Sequence, residues 1–340
     1  MLENAKSLLP GLLVCIAITI AATVLQDVEV YFVKQPYLES LVLSILIGVA
    51  VRTLWTPGPC WRPGIQFSGK FILELAIVIL GASVGVGTII ALGPQLILGI
   101  ACIVIVAIGV SYMVCRLLGL TQRMSILIAC GNSICGNSAI AAVAPVIGAD
   151  GDDIASSISF TAVLGVVVVL TLPLLVPILN LSLTQYGVLA GLTVYAVPQV
   201  LAATLPIGAL ANQVGTVIKL VRVLMLGPVV LIFSLFSRKL RPGHDRPNTR
   251  PKIREFVPWF IIGFLIMLIA RSLELIPPFV LPGITRTAAV MTTVAMAALG
   301  LGVDVRVIAR TGLRVTLAVS ISLIFLAIVS YALIQLIGMK

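Results

Sequence analysis

The chain has 340 residues, 60% of them hydrophobic and 10% charged, with a mean hydropathy of +1.21 and 29 Gly. A soluble domain carries about 25% charged residues, so this composition points to the bilayer, where Gly is also more common than in soluble helices. The net charge of +10 does not mark a nucleic-acid partner: Arg238, Lys239, Arg241, Arg246, Arg250, Lys252 and Arg254 crowd one stretch between apolar runs, as in a cytoplasmic loop.

A helix crosses a bilayer with about 20 apolar residues, and about eleven such segments follow in chain order. They are 8–26, 38–56, 69–90, 95–118, 124–148, 154–179, 184–206, 213–237, 256–274, 286–305 and 313–338. Lys6 before the first run resembles the start of a signal peptide, but no clean A-x-A site follows Ala21-Ala22, which predicts a retained helix. Short joins carry Pro, Gly or charge, as in Thr56-Pro57-Gly58-Pro59 and Asp150-Gly151-Asp152-Asp153. With the N-terminus cytoplasmic, only Lys34, Lys219, Arg222, Arg271, Arg286 and Lys340 fall outside among the 22 Lys and Arg, as the positive-inside rule requires. The expected organisation is an extra helix over 1–37, a first repeat over 38–180, and an inverted second repeat over 184–338 that contains the basic loop 238–254. That division sets span five opposite span ten, where Thr292 and Thr293 lie. A weaker match of Leu80-Gly81 with Leu299-Gly300 supports a competing division.

Polar groups at membrane depth are costly and need a reason. In span five, Gly131-Asn132-Ser133 and Gly136-Asn137-Ser138 repeat one tripeptide around Ile134-Cys135. Gly, Asn and Ser favour an unwound stretch, and the half-helix restarting near Ser138 would turn its free N–H groups towards an anion. The alternative is close packing of small residues. In span seven, Pro198 frees a carbonyl beside the amide of Gln199, which reads equally as a site or as a kink. Lys219 and Arg222 share a helix face in span eight; they serve either as countercharge for an anion or as interface residues that snorkel. Glu74 in span three either pairs with Lys70 or carries a coupling proton or cation. Asp304 reads as an interface charge, and Arg271 and Glu274 as a pair at the outer edge.

The six cysteines lie mostly in apolar runs, without metal-ligand spacing, so neither a disulfide framework nor a metal is expected. His244 is the single His and sits in the basic loop. There is no H-E-x-x-H and no P-loop, so neither an enzyme nor a cofactor is expected.

The run Ser133-Ile134-Cys135-Gly136-Asn137-Ser138-Ala139-Ile140-Ala141-Ala142 resembles the most recognisable motif of the YeiH-like proteins, bacterial inner-membrane proteins catalogued as a sulfate exporter family. Pro198-Gln199-Val200, Val217 to Leu224 around Lys219 and Arg222, and Ala295 to Leu301 are also similar to that family. The resemblance implies an all-α polytopic protein of the bile-acid:sodium symporter and cation/proton antiporter type, with two crossing discontinuous helices. Family members tend to carry a His and an acidic residue where this chain has Tyr195 and Ala196, so coupling would fall to another group such as Glu74 or would not use protons.

The expected function is a secondary transporter, an exporter of a small anion such as a sulfur oxyanion or organic sulfonate, working by alternating access in the inner membrane. Asn132, Ser133, Gly136, Asn137, Ser138, Gln199, Lys219 and Arg222 would bind it, and Glu74, Thr292 and Thr293 are candidates for a coupling ion, Na⁺ or H⁺. Arg222→Ala is then expected to abolish transport in a folded protein. A cation-coupled symporter of an organic solute, and a channel or membrane sensor, are the alternatives. A homodimer is a candidate assembly.

Overall fold

The structure, a computed structural model, describes residues 2–33, 40–83, 86–240, 259–303 and 313–338. Its described elements are all helices: α1 Leu2–Val33, α2 Ser40–Leu54, α3 Arg62–Phe67, α4 Leu73–Leu80, α5 Val86–Leu117, α6 Gln122–Ser133, α7 Asn137–Ile147, α8 Gly151–Thr171, α9 Leu175–Leu179, α10 Leu183–Thr193, α11 Val197–Thr204, α12 Ala209–Leu224, α13 Leu226–Leu240, α14 Trp259–Ser272, α15 Leu281–Gly302 and α16 Leu313–Ile337. A π turn over Ser68–Ile72 joins α3 to α4. Seven helices among the described residues are long and apolar enough to cross a membrane: Ser7–Phe32, Arg62–Leu80, Gln95–Leu117, Ser156–Leu179, Ala209–Leu235, Leu281–Gly302 and Arg314–Ile337. The chain is therefore a multi-pass membrane protein. The remaining predicted spans correspond to the shorter α2 and α14 and to two interrupted pairs, α6–α7 and α10–α11.

Those interrupted pairs do not run straight on, as crossing discontinuous helices would. Each folds back on itself. Arg123, just inside α6, bonds Asp150 beyond the end of α7 at 3.0 Å, and Gly131 of α6 packs on Ile140 of α7. In the second pair the Tyr186 hydroxyl donates to the Ala203 carbonyl at 2.8 Å, and Gly208 after α11 lies against Leu183 at the start of α10. Both are antiparallel helical hairpins with tips at residues 134–136 and 194–196. The 12 residues of α6 make a leg of about 18 Å at 1.5 Å per residue, little more than half of a bilayer core of about 30 Å. Each hairpin starts on a hydroxyl cap: Thr121 Oγ1 accepts from Met124 N, and Ser182 Oγ accepts from Gln185 N.

The helices pack in two groups. In one, α2 lies along α15, with α1, α3, α4 and α14 around them. Gly48 and Gly300 let α2 and α15 touch backbone to backbone: a Cβ at Gly300 would stand 2.4 Å from the Ile45 carbonyl oxygen. In lipid, such close approach replaces the hydrophobic drive that water supplies. The other group holds both hairpins, with α5, α8, α12, α13 and α16. Contacts between the groups are sparse and run chiefly through α11, α2 and α15. The basic loop beyond Leu240 with His244, together with Lys34, Asp304, Arg306, Arg310 and Lys340, lies outside the described residues.

Candidate functional site

The hairpin tips meet. Gly136, at φ 64° and ψ −124°, opens α7 and lies against Tyr195, whose Cβ would stand 3.2 Å from a Cβ placed there. Only Gly takes this backbone cheaply. Tyr195 reaches across the junction and donates its hydroxyl hydrogen to Asn132 Oδ1 at 2.7 Å, while Asn132 Nδ2 donates to the Val319 carbonyl of α16 at 3.4 Å.

Lys219 and Arg222 project from α12 into this junction and are fully buried. Lys219 Nζ donates to Ile134 O at 2.6 Å and Val194 O at 2.8 Å, one acceptor from each tip. Arg222 donates from Nε to Ser133 O at 2.6 Å, from one terminal nitrogen to Val194 O at 3.4 Å, and from the other to Asn132 O. These carbonyls end α6 and α10, where a helix loses its intrahelical donors and carries partial negative charge. The two cations therefore brace the C-terminal ends of α6 and α10, the first leg of each hairpin, and both are buried within the protein.

The two N-terminal ends at the tips differ. That of α11 is closed: Gln199 is buried, its Oε1 accepts from Ala196 N at 3.2 Å, and its amide fills the space left by Gly165 of α8. That of α7 is open: Asn137 and Ser138 are exposed, although the rest of the tip is buried. Asn137 Oδ1 accepts from the Thr161 hydroxyl of α8 at 2.5 Å. One turn back, Ser133 Oγ is buried and has no hydrogen-bond partner among the described residues.

Asn132, Ser133, Gly136, Asn137, Ser138, Gln199, Lys219 and Arg222 thus gather at one junction, with different tasks. Asn132, Gln199, Lys219 and Arg222 bond to protein groups, as does Asn137 through its Oδ1, whereas Ser133 Oγ is left over and Asn137 and Ser138 are exposed at the tip. Three other residues lie in the other helix group. Glu74 of α4 accepts from the Trp259 indole at 2.6 Å. Thr292 and Thr293 of α15 bond back to the Ala288 and Ala289 carbonyls of their own helix. Sequence reasoning missed Thr161 and the Val319 carbonyl, because a backbone acceptor and a single Thr in an apolar helix leave no pattern to find.

The charge balance around the junction is one-sided. No Asp or Glu occurs in residues 154–244, and among the described residues neither Lys219 nor Arg222 forms an ion pair. A buried cation without a carboxylate is unusual.

The family described as Conserved hypothetical protein 698 matches residues 10–319. A UPF0324 membrane protein of Brucella melitensis is 56% identical over 99% of this chain and 93% of its own length. One from Bradyrhizobium diazoefficiens is 55% identical over 98% of this chain and 94% of its own length, and one from Bacillus cereus 32% identical over 91% and 88%. No solved structure matches the chain.

Proposed function

The chain belongs to the YeiH-like family of UPF0324 membrane proteins, and on that premise we propose that it is a secondary transporter of a small anion, working by alternating access in the bacterial inner membrane. The observation that carries this reading is the full burial of Lys219 and Arg222 with carbonyl partners alone. The dipoles of the four half-helices at the tips cancel, each contributing about half a charge of one sign or the other. Two positive charges then remain at membrane depth, and an anion is the natural complement. It would sit at the open end of α7, on the backbone N–H groups of Asn137 and Ser138 and the hydroxyls of Ser133 and Ser138. Gln199 closes the opposing end. The sparse contact between the two helix groups supplies a surface along which the hairpin group can move and expose the tips to one side, then the other. A sulfur oxyanion or an organic sulfonate fits a site built from neutral donors and buried positive charge.

With the N-terminus cytoplasmic, the first hairpin enters from the inside and the second from the outside, so the protein would cross nine times rather than eleven. The unit of one hairpin plus one crossing then recurs inverted, as α6 to α9 and α10 to α13, in place of two five-helix repeats.

The test is thermal melting of purified protein against sulfate, sulfite, an alkyl sulfonate, a dicarboxylate and chloride, each with and without Na⁺. A ligand at 100 times its Kd stabilises the state it binds by about 2.7 kcal/mol. A binding anion is expected to raise Tm in the wild type and not in a double variant carrying Asn137→Val and Ser138→Val. A rise with Na⁺ and no anion would replace this reading with the cation-coupled symporter. No rise with any anion would remove it.

A further inference from the structure

A second basic site lies in the other helix group, away from the hairpin tips. A cavity of about 180 Å³ opens between the end of α2, the start of α3 and the end of α15, lined by Arg52, Arg62, Gln66, Ile65 and Leu301, with Gly302 at its edge. Two arginines, Arg52 and Arg62, line this one small space. Arg62 spends its Nε on the Pro57 carbonyl at 3.3 Å, and a guanidinium still holds four further N–H donors on its terminal nitrogens. Gln66 adds an amide, while Ile65 and Leu301 are buried and form an apolar floor.

The surroundings place this cavity at a membrane–water interface. Arg52 and Arg62 flank the turn between two membrane-embedded helices, and on that turn Trp55 and Trp61 pack edge to face with ring centroids 5.4 Å apart. Trp gathers at the headgroup level, where its ring is apolar and its N–H meets water. Paired Arg side chains match the oxygens of a phosphate by bidentate bonding, and basic pockets between membrane helices are suited to anionic headgroups.

We propose that this cavity is a phosphate-recognition site, taken by the headgroup of an anionic phospholipid of the leaflet that faces the α2–α3 turn. The phosphate lies on Arg52, Arg62 and Gln66, and the glycerol and acyl portion run out along Ile65 and α15. Occupancy ties the end of α15 to the start of α3, two elements of the group against which the hairpins would move.

The experiment compares melting in nanodiscs of phosphatidylcholine alone, the same with phosphatidylglycerol added, and phosphatidylcholine with inorganic phosphate in the buffer. Wild type is expected to gain several degrees with phosphatidylglycerol. Arg62→Gln is expected to lose at least half of that gain, and Arg123→Gln, at a half-buried arginine in the other helix group, to keep it. Gly302→Leu covers the case in which loss of Arg62 disturbs folding. Gly302 lines the cavity, and a Cβ there meets nothing within 4 Å, so a leucine can be built at its edge without removing charge, and it should also lose the gain. Inorganic phosphate reproducing the gain, with the same loss in Arg62→Gln, keeps the phosphate chemistry but moves the source from lipid to solution. A gain of equal size in wild type, Arg62→Gln and Gly302→Leu overturns the proposal, as does no gain with either source.

Discussion

Arg222 and Lys219 show how far the meaning of a buried cation depends on its acceptors. The residue types and their shared helix face are plain in the sequence, and both side chains are fully buried at the tips. Their partners are main-chain carbonyls of two hairpins distant in sequence, and a carbonyl acceptor has no letter in a sequence. Removing Arg222 therefore does more than delete countercharge. Each orphaned buried carbonyl costs about 1–3 kcal/mol, and Arg222 serves those of Asn132 and Ser133, while Val194 keeps its bond from Lys219. Arg222→Met is expected to lower Tm sharply or prevent folding, contrary to the sequence-based expectation of a folded, inactive protein. Ser138→Ala, at an exposed position, should leave Tm unchanged without ligand and abolish the anion-induced rise. Melting curves of the two variants with and without anion separate brace from binding group. An Arg222→Met protein with wild-type Tm would show that the carbonyls find other donors.

At the scale of elements, the interruption of span five is legible and its direction is not. The doubled Gly-Asn-Ser predicts an unwound stretch, and α6 does end at Ser133 and α7 begin at Asn137. What the pattern hides is that two short apolar legs and a turn add up to the length of one crossing, so a hydropathy reading counts a hairpin as a span. The signals that distinguish them are long-range, such as the bond of Arg123 to Asp150 and that of Tyr186 to Ala203. The tip itself is demanding. Gly136 combines a positive φ with a close neighbour in Tyr195, and a non-glycine residue held in such a backbone costs on the order of 1–3 kcal/mol. Gly136→Ala should lower the stability of the protein by about that amount, read as a fall in Tm, with a further loss of anion binding as the first tip is pushed off the second. Unchanged melting and binding would mean that the tips are not packed as described.

At the scale of the whole molecule, the two hairpins decide the topology, and the charge distribution cannot see them. No Lys or Arg lies between Arg123 and Lys219, so replacing two crossings by two hairpins leaves every basic residue on the side the positive-inside rule already gave it. Among the charged residues only the acidic turn Asp150 to Asp153 changes sides, together with the uncharged join at 180–183. Labelling with a membrane-impermeant maleimide can distinguish the two arrangements, in a background with the exposed Cys102 replaced and the exposed Cys60 kept as reference or replaced in turn. Thr121→Cys and Asp150→Cys, both at exposed positions, should label from the same side as Cys60. Leu183→Cys and Pro206→Cys, exposed as well, should label together from the opposite side. Two half-depth hairpins entering from opposite faces must bring their tips together near the midplane, where Lys219 can bond Ile134 and Val194 at once. Labelling of positions 121 and 150 from opposite sides would restore a crossing span, pull the tips apart, and leave the bridging by Lys219 and Arg222 without a geometry that allows it.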